Sequence, residues 1–173
     1  NSGIRFIRTD LEGNPEIKAD VDNVFSTERS TGLKQGIAEI NTVEHILASI
    51  VGAEIDNIII EVNNIEIPIL DGSSTSFSEL ISKTGTEELS AKRKFFEVKR
   101  KISFTDHESG TTFIATPADE YQVEVEINYN SNTLGVQTAA LNSITDFKDE
   151  IASSRTFCFL HELELLLSNN LIK

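Results

Sequence analysis

One stretch narrows the possible folds more than any other. INTVEHILASIVG, Ile40 to Gly52, is followed within a few residues by NIIIEV, Asn57 to Val62. Val43, Ile46, Leu47, Ile50 and Val51 recur at helical spacing, and Gly52 can close the C-terminal end. Asn41 is placed to cap this helix, with Glu44 at the third position of a capping box. NIIIEV is short, apolar and β-branched, as a buried strand is. A helix with one apolar stripe beside such a strand has to lay that stripe on a sheet. The fold class that follows is α+β.

The rest of the chain repeats the theme. Ile4 and Phe6, with Arg5 and Arg8 around them, alternate like a half-buried strand. DLEGNPEIKADVDN reads as a loop, and VFSTERSTGLKQGIAEI as short strands around a turn. After Asp71-Gly72, Ser73 or Ser74 can cap a second helix with Phe77, Leu80 and Ile81 inward and Gly85 at its end. TEELSAKRK is polar and without core period, as a domain boundary is. Beyond it, KFFEVKRKISF predicts a hairpin that turns at DHESG and returns through TTFIATP. YQVEVEINY alternates, with Val123, Val125, Ile127 and Tyr129 on one face. ITDFKDEIA predicts a short helix, RTFCFL a strand, and LHELELLLSNN a closing helix. Strands followed by helices, twice, predict two two-layer β/α sandwiches side by side, residues 1–90 and 91–173. Both read as incomplete: the N-terminus has no initiator Met, enters a strand at once, and both ends look cut.

Charge bears on partners. A net charge of -13 repels phosphate backbones and anionic membrane surfaces, which argues against nucleic-acid binding. No apolar run approaches the ~20 residues of a transmembrane segment. With Cys158 as the single cysteine, neither an intrachain disulfide nor a Cys-based zinc cluster can form, which fits a cytoplasmic location.

Glu44 and His45 are the adjacent pair to weigh for chemistry. On a wheel at ~100° per residue, Glu44 falls at the edge of the apolar stripe and His45 points away from it, toward water or a cleft. The plain reading is a capping carboxylate beside a solvated imidazole, and pattern alone favours it. His107 in the hairpin turn and His161 at the last helix offer no metal-ligand spacing with His45. Cys158 reads as a small buried apolar group. A strand threonine such as Thr156 ordinarily reflects β-propensity, though its hydroxyl can donate to an oxyanion. Asp146, Asp149 and Glu150 read as a solvated helix face, and Asp71-Gly72 as a turn.

Two longer blocks add a resemblance. TVEHILASIVGAEIDNIIIEVNNIEIPILDGSSTSF and, downstream, SSRTFCFLHELELLLSNNLIK resemble, in order and distance, motif blocks of the UDP-3-O-acyl-N-acetylglucosamine deacetylases. FFEVKRKISF and PADEYQVEVEINY sit where that family's second domain begins. The family consists of zinc amidases that carry out the committed step of lipid A synthesis, on two packed α+β sandwiches with the active site between them. The resemblance implies zinc (Zn2+) as cofactor, His45 as a ligand and Glu44 as general base. It implies Thr156 as stabiliser of the oxyanion, Phe157 and Leu160 in the passage for the substrate's acyl chain, and Tyr129 near the nucleotide.

The same resemblance puts the other zinc ligands and the histidine that protonates the leaving amine beyond Lys173, and a GLHTG-like segment before Asn1. A lysine that often contacts substrate is replaced near Thr111. Some family members are fused to a 3-hydroxyacyl-carrier-protein dehydratase, a further domain to expect downstream. A different class stays open: a non-catalytic fragment or scaffold of that fold, inactive alone because ligands are missing. A generic acidic interaction domain explains charge only.

Overall fold

The computed structural model describes residues 2–168, apart from the side chains of His161, Leu165 and Leu166. The fold is mixed α+β, built from small sheets with no closed barrel. β1 (Ile4–Arg8) lies at the centre of a three-stranded sheet, between antiparallel β2 (Glu16–Lys18) and a later strand. β3 (Val24–Ser26), β4 (Gly32–Gln35) and β5 (Ala38–Ile40) form an antiparallel meander. Helix α1 (Glu44–Gly52) then leads into β6 (Ile58–Val62), which pairs parallel with β1, Phe6 opposite Ile60. Helix α2 (Thr75–Thr84) follows, and residues 85–101 carry no helix or strand.

The second half contains two separate hairpins. β7 (Ile102–Thr105) pairs with β8 (Thr112–Ala115), and β9 (Val123–Asn128) with β10 (Val136–Leu141). The short helix expected over ITDFKDEIA is helical, a 3-10 turn at Ile144–Asp146 followed by a π-helical turn at Phe147–Ile151. Residues 155–159 carry no helix or strand, so RTFCFL is not a strand. A 3-10 turn at Leu160–Glu162 leads to α3 (Leu163–Ser168). The expected continuation of that helix to Asn170, and the His161 side chain, lie outside the described residues.

The main core joins both small sheets to the helices. Phe6, Ile17, Ile40 and Val43 are fully buried there with Leu33, Ala38, Ile67 and Phe77. Ile17 belongs to β2, inside a stretch that sequence marks as loop, because Asn and Pro beside it masked a three-residue strand. Leu80, expected inward on α2, is 60% exposed; the buried positions of that helix are Phe77 and Ser78. Phe95 and Phe96, expected to open the hairpin, are 81% and 90% exposed and precede it.

Helix α1 is shared between two cores. Val43, Ile46 and Leu47 pack on the main one. Ala48 packs on a second cluster of Leu141, Phe147 and Ala152. At ~100° per residue His45, Ala48 and Gly52 fall on one side of the helix, opposite the apolar stripe. Gly52 does more than end the helix. A Cβ there would lie 2.1 Å from the Phe147 ring, so glycine is what lets the second half approach α1. The side that seemed free for solvent is in fact partly covered.

β1 holds a second surprise. Arg8 stands two residues from Phe6, hence on the same face, and is only 5% exposed. Its guanidinium donates twice to Asp10, at 2.8 and 2.7 Å, and also to the Glu39 carbonyl. A buried charge is tolerated because it is paired and hydrogen-bonded. The Arg8 hydrogen bond holds the Asp10 carboxyl below the usual carboxylate range. A depressed folded value means the stabilisation is present above the unfolded pKa of about 3.9 and is lost as pH falls through the folded value. Denaturant titrations of the intact protein should therefore show stability falling in acid below about pH 4, with a shallower fall for Asp10→Asn. An unchanged acid slope in that variant would remove the pair from the stability of β1.

Candidate active site

The first turn of α1 is set by what precedes it. Asn41 is committed to a bridge with the 65–67 strand-like segment, its N–H donating to the Ile65 carbonyl at 2.8 Å and its carbonyl accepting from Ile67 at 3.0 Å. Thr42 then adopts φ +60°, a left-handed conformation rare for a β-branched residue. The helix consequently starts at Glu44 with Val43 as its cap residue and no side-chain cap bond, so the capping box does not form.

Freed from that task, the Glu44 carboxylate accepts the Thr31 backbone N–H at 2.9 Å, while the Val43 N–H donates to the Thr31 carbonyl at 3.2 Å. Glu44 and His45 are both half-buried. The His45 carbonyl accepts the hydroxyls of Ser49 at 3.1 Å and Ser74 at 3.0 Å. The single Ser49 hydroxyl proton is shared between that carbonyl and the Ser74 carbonyl, and Ser78 Oγ donates to Ser49 Oγ. Ser49, Ser74 and Ser78 are all buried, and this serine seam lets α1 and α2 approach closely with their polar atoms paired.

The segment Asp71–Thr75 carries the second half of the site. The Ser74 N–H and the Thr75 hydroxyl both donate to the Ala152 carbonyl, at 2.9 and 3.2 Å. The Thr156 N–H donates to the Gly72 carbonyl at 2.9 Å. Asp71 accepts the Ser73 hydroxyl at 2.7 Å and the Arg155 guanidinium at 3.1 Å. Chiefly the Ser73 hydroxyl, then the Ser73 N–H and Arg155, hold the Asp71 carboxyl below its ordinary range. What sequence reads as a turn is a clamp on the residue beside Thr156.

Thr156, Phe157 and Tyr129 line one crevice of about 400 Å³ with Arg29, Arg155, Phe159 and Glu162. Tyr129, Phe157 and Phe159 form an aromatic cluster with ring centroids 5.5 to 6.2 Å apart. Leu160 is 84% exposed and not part of that lining. Glu44 and His45 are also not among the lining residues; the His45 carbonyl is linked toward Thr156 through Ser74 and Gly72, and the Glu44 carboxylate through Thr31 to the loop that carries Arg29. Cys158, expected buried, is exposed between its aromatic neighbours.

Sequence reading passed over Arg29, Arg155, Phe159 and Glu162, and gave the serines of Asp-Gly-Ser-Ser only a capping role. Their signal was present in the dense run of Asp, Gly and Ser between apolar segments, but turn chemistry explains such a run without any site.

A structural or catalytic zinc takes three or four protein donors. Among the described residues no three His, Cys, Asp or Glu side chains come together to hold a metal. A zinc set that included His45 would need donors from outside the described residues.

The family model of UDP-3-O-acyl N-acetylglycosamine deacetylase matches residues 1–173. The chain belongs to that family. Among curated proteins, it is 43% identical over 173 residues to the bifunctional enzyme LpxC/FabZ of Bacteroides thetaiotaomicron, covering 100% of this chain and 38% of the relative. It is 41% identical to the protein of the same name from Porphyromonas gingivalis, covering 99% of this chain and 37% of the relative. The UDP-3-O-acyl-N-acetylglucosamine deacetylase of Thioalkalivibrio sulfidiphilus is 39% identical, over 99% of this chain and 57% of its own length. The chain thus spans between 37% and 57% of the length of these deacetylase relatives.

Gly72 tests the clamp of this family member. It sits at φ +80°, and a Cβ there would lie 3.3 Å from Thr156 Cγ2. Gly72→Ala should cost roughly 1–2 kcal/mol in denaturant unfolding, from left-handed strain, and should shift the Thr156 backbone resonances. Resonances that stay in place would separate Gly72 from the placement of Thr156.

Proposed function

We propose that the protein of which this chain is a part hydrolyses the N-acetyl amide of UDP-3-O-acyl-N-acetylglucosamine, releasing acetate in the committed step of lipid A biosynthesis. The family match over all 173 residues carries this reading. In it, His45 is one ligand of a catalytic zinc and Glu44 the general base. Thr156 donates its hydroxyl to the oxyanion. Phe157 and Leu160 border the acyl chain, and Tyr129 faces the nucleotide. The two halves, 1–90 and 91–173, are parts of two β/α sandwich domains that flank the reaction. Matches to proteins named LpxC/FabZ support a dehydratase domain joined to the deacetylase. Among the described residues no helix is long and apolar enough to cross a membrane; a cytoplasmic site of action is our reading, supported by the lone, exposed thiol of Cys158.

Zinc, when bound, would supply a water acidified to a pKa of about 7. The remaining tasks belong to this chain's own side chains. Glu44 is adjacent to the ligand, and Thr31 holds one of its oxygens at 2.9 Å, which fixes the carboxylate for taking a proton from water. Thr156 would donate its hydroxyl to the acetyl oxygen as that atom gains negative charge. A lost oxyanion donor typically costs ~10²–10³ in turnover.

A second reading concerns this chain in isolation. With no three-donor cluster among the described residues, it acts by itself as a non-catalytic scaffold. Tight stoichiometric zinc binding by residues 1–173 alone would contradict that.

In the full-length protein, Glu44→Ala should retain stoichiometric zinc and lose turnover, whereas His45→Ala should lose both, measured by metal analysis and acetate release. Undiminished acetate release by the Glu44 variant would remove Glu44 from the reaction.

A further inference from the structure

We propose that the Arg29–Glu162 ion pair is a clamp that positions the Glu44 carboxylate, which makes Arg29 and Glu162 positioning residues for the hydrolysis. The proposal rests on Glu44 being the general base. Arg29 and Glu162 are 133 residues apart in sequence, yet Arg29 Nη1 lies 3.1 Å from Glu162 Oε1. The other Glu162 oxygen accepts the Phe159 N–H at 2.7 Å, so one carboxylate ties the loop before β4 to the aromatic wall of the crevice.

That loop also carries Thr31, whose N–H reaches Glu44 and whose carbonyl accepts from Val43. The path from Arg29 to the Glu44 carboxylate is therefore two residues of backbone and one hydrogen bond. Arg29 itself holds φ +58°, a conformation that costs a non-glycine residue and persists only when its surroundings impose it. Its fixed points are the ion pair on one side and, on the other, the Val43–Thr31 backbone bond and the pairing of Gly32 with Ser26.

The pair is partly exposed, at 40% and 29% for the two side chains, so its direct contribution to stability is small. Its effect is on orientation. Misplacing a reacting group by about an ångström can cost ~10²-fold in rate while barely altering the fold. Release of Arg29 lets the loop swing, Thr31 leaves Glu44, and the carboxylate loses the donor that points it.

Two readouts in the full-length, zinc-loaded protein test this. Amide hydrogen exchange at Thr31 should quicken by about tenfold in Arg29→Ala, with Ile50 in the core unchanged. Turnover should fall by roughly ten- to a hundredfold in kcat with KM nearly constant. Glu162→Gln should behave alike, and the charge swap Arg29→Glu with Glu162→Arg should recover most of both losses. Unaltered Thr31 exchange in Arg29→Ala would overturn the clamp whatever the activity. Quickened exchange with unchanged kcat, in an enzyme that Glu44→Ala silences, would overturn the positioning role and leave the base assignment standing. If wild type and Glu44→Ala release acetate equally, the base assignment fails and this role fails with it.

Discussion

The architecture depends on the five residues from Asp71 to Thr75, which bind both halves of the chain at once. Toward the first half, Ser74 donates to the His45 carbonyl and accepts from Ser49. Toward the second, the same residue and Thr75 hold Ala152, Gly72 holds Thr156, and Asp71 holds Arg155. Most of these are backbone-directed bonds at buried or half-buried positions, where an unmade bond costs about 1–3 kcal/mol. The segment thus specifies position more than it adds stability. It is the hydrogen-bonded link between the His45 backbone and Thr156.

Helix α1 shows what sequence can and cannot convey. Its C-terminal limit, most of its apolar stripe and the strand that follows were legible because periods of 3.6 and 2 are local properties. Which element covers its other side was not, because that contact is made by Phe147, close to a hundred residues away. Val51 was assigned to the stripe and is 47% exposed, bordering instead the apolar groove beside Leu141 and Phe147. The capping box failed for a similar reason. Asn41 and Glu44 have the right spacing, but the bridge from Asn41 to Glu66 withdraws the first and the Thr31 amide claims the second. Tertiary partners outbid a local motif.

β10 illustrates a weaker signal. Val136–Leu141 contains Thr, Gln and two alanines, with little of the β-branched alternation that made β9 conspicuous, and only pairing with β9 defines it. The β9–β10 hairpin carries exposed Val125, Ile127 and Val136, and the other hairpin Phe104 and Phe113. Charge adds its own lesson. The chain is strongly acidic overall, yet two of its arginines border the crevice, each already paired with a carboxylate, Arg29 with Glu162 and Arg155 with Asp71. Local arrangement, not net charge, sets the field that a bound molecule meets.

The central claim is that Glu44 and Thr156 act on the same reacting group. A crystal structure of the full-length protein with the product acetate bound tests it most directly. The account predicts one acetate oxygen within hydrogen-bond distance of the Thr156 hydroxyl and the carboxyl group beside Glu44. Acetate seated away from both, or a Thr156 hydroxyl turned from the Glu44 carboxylate with the ligand in place, would contradict it.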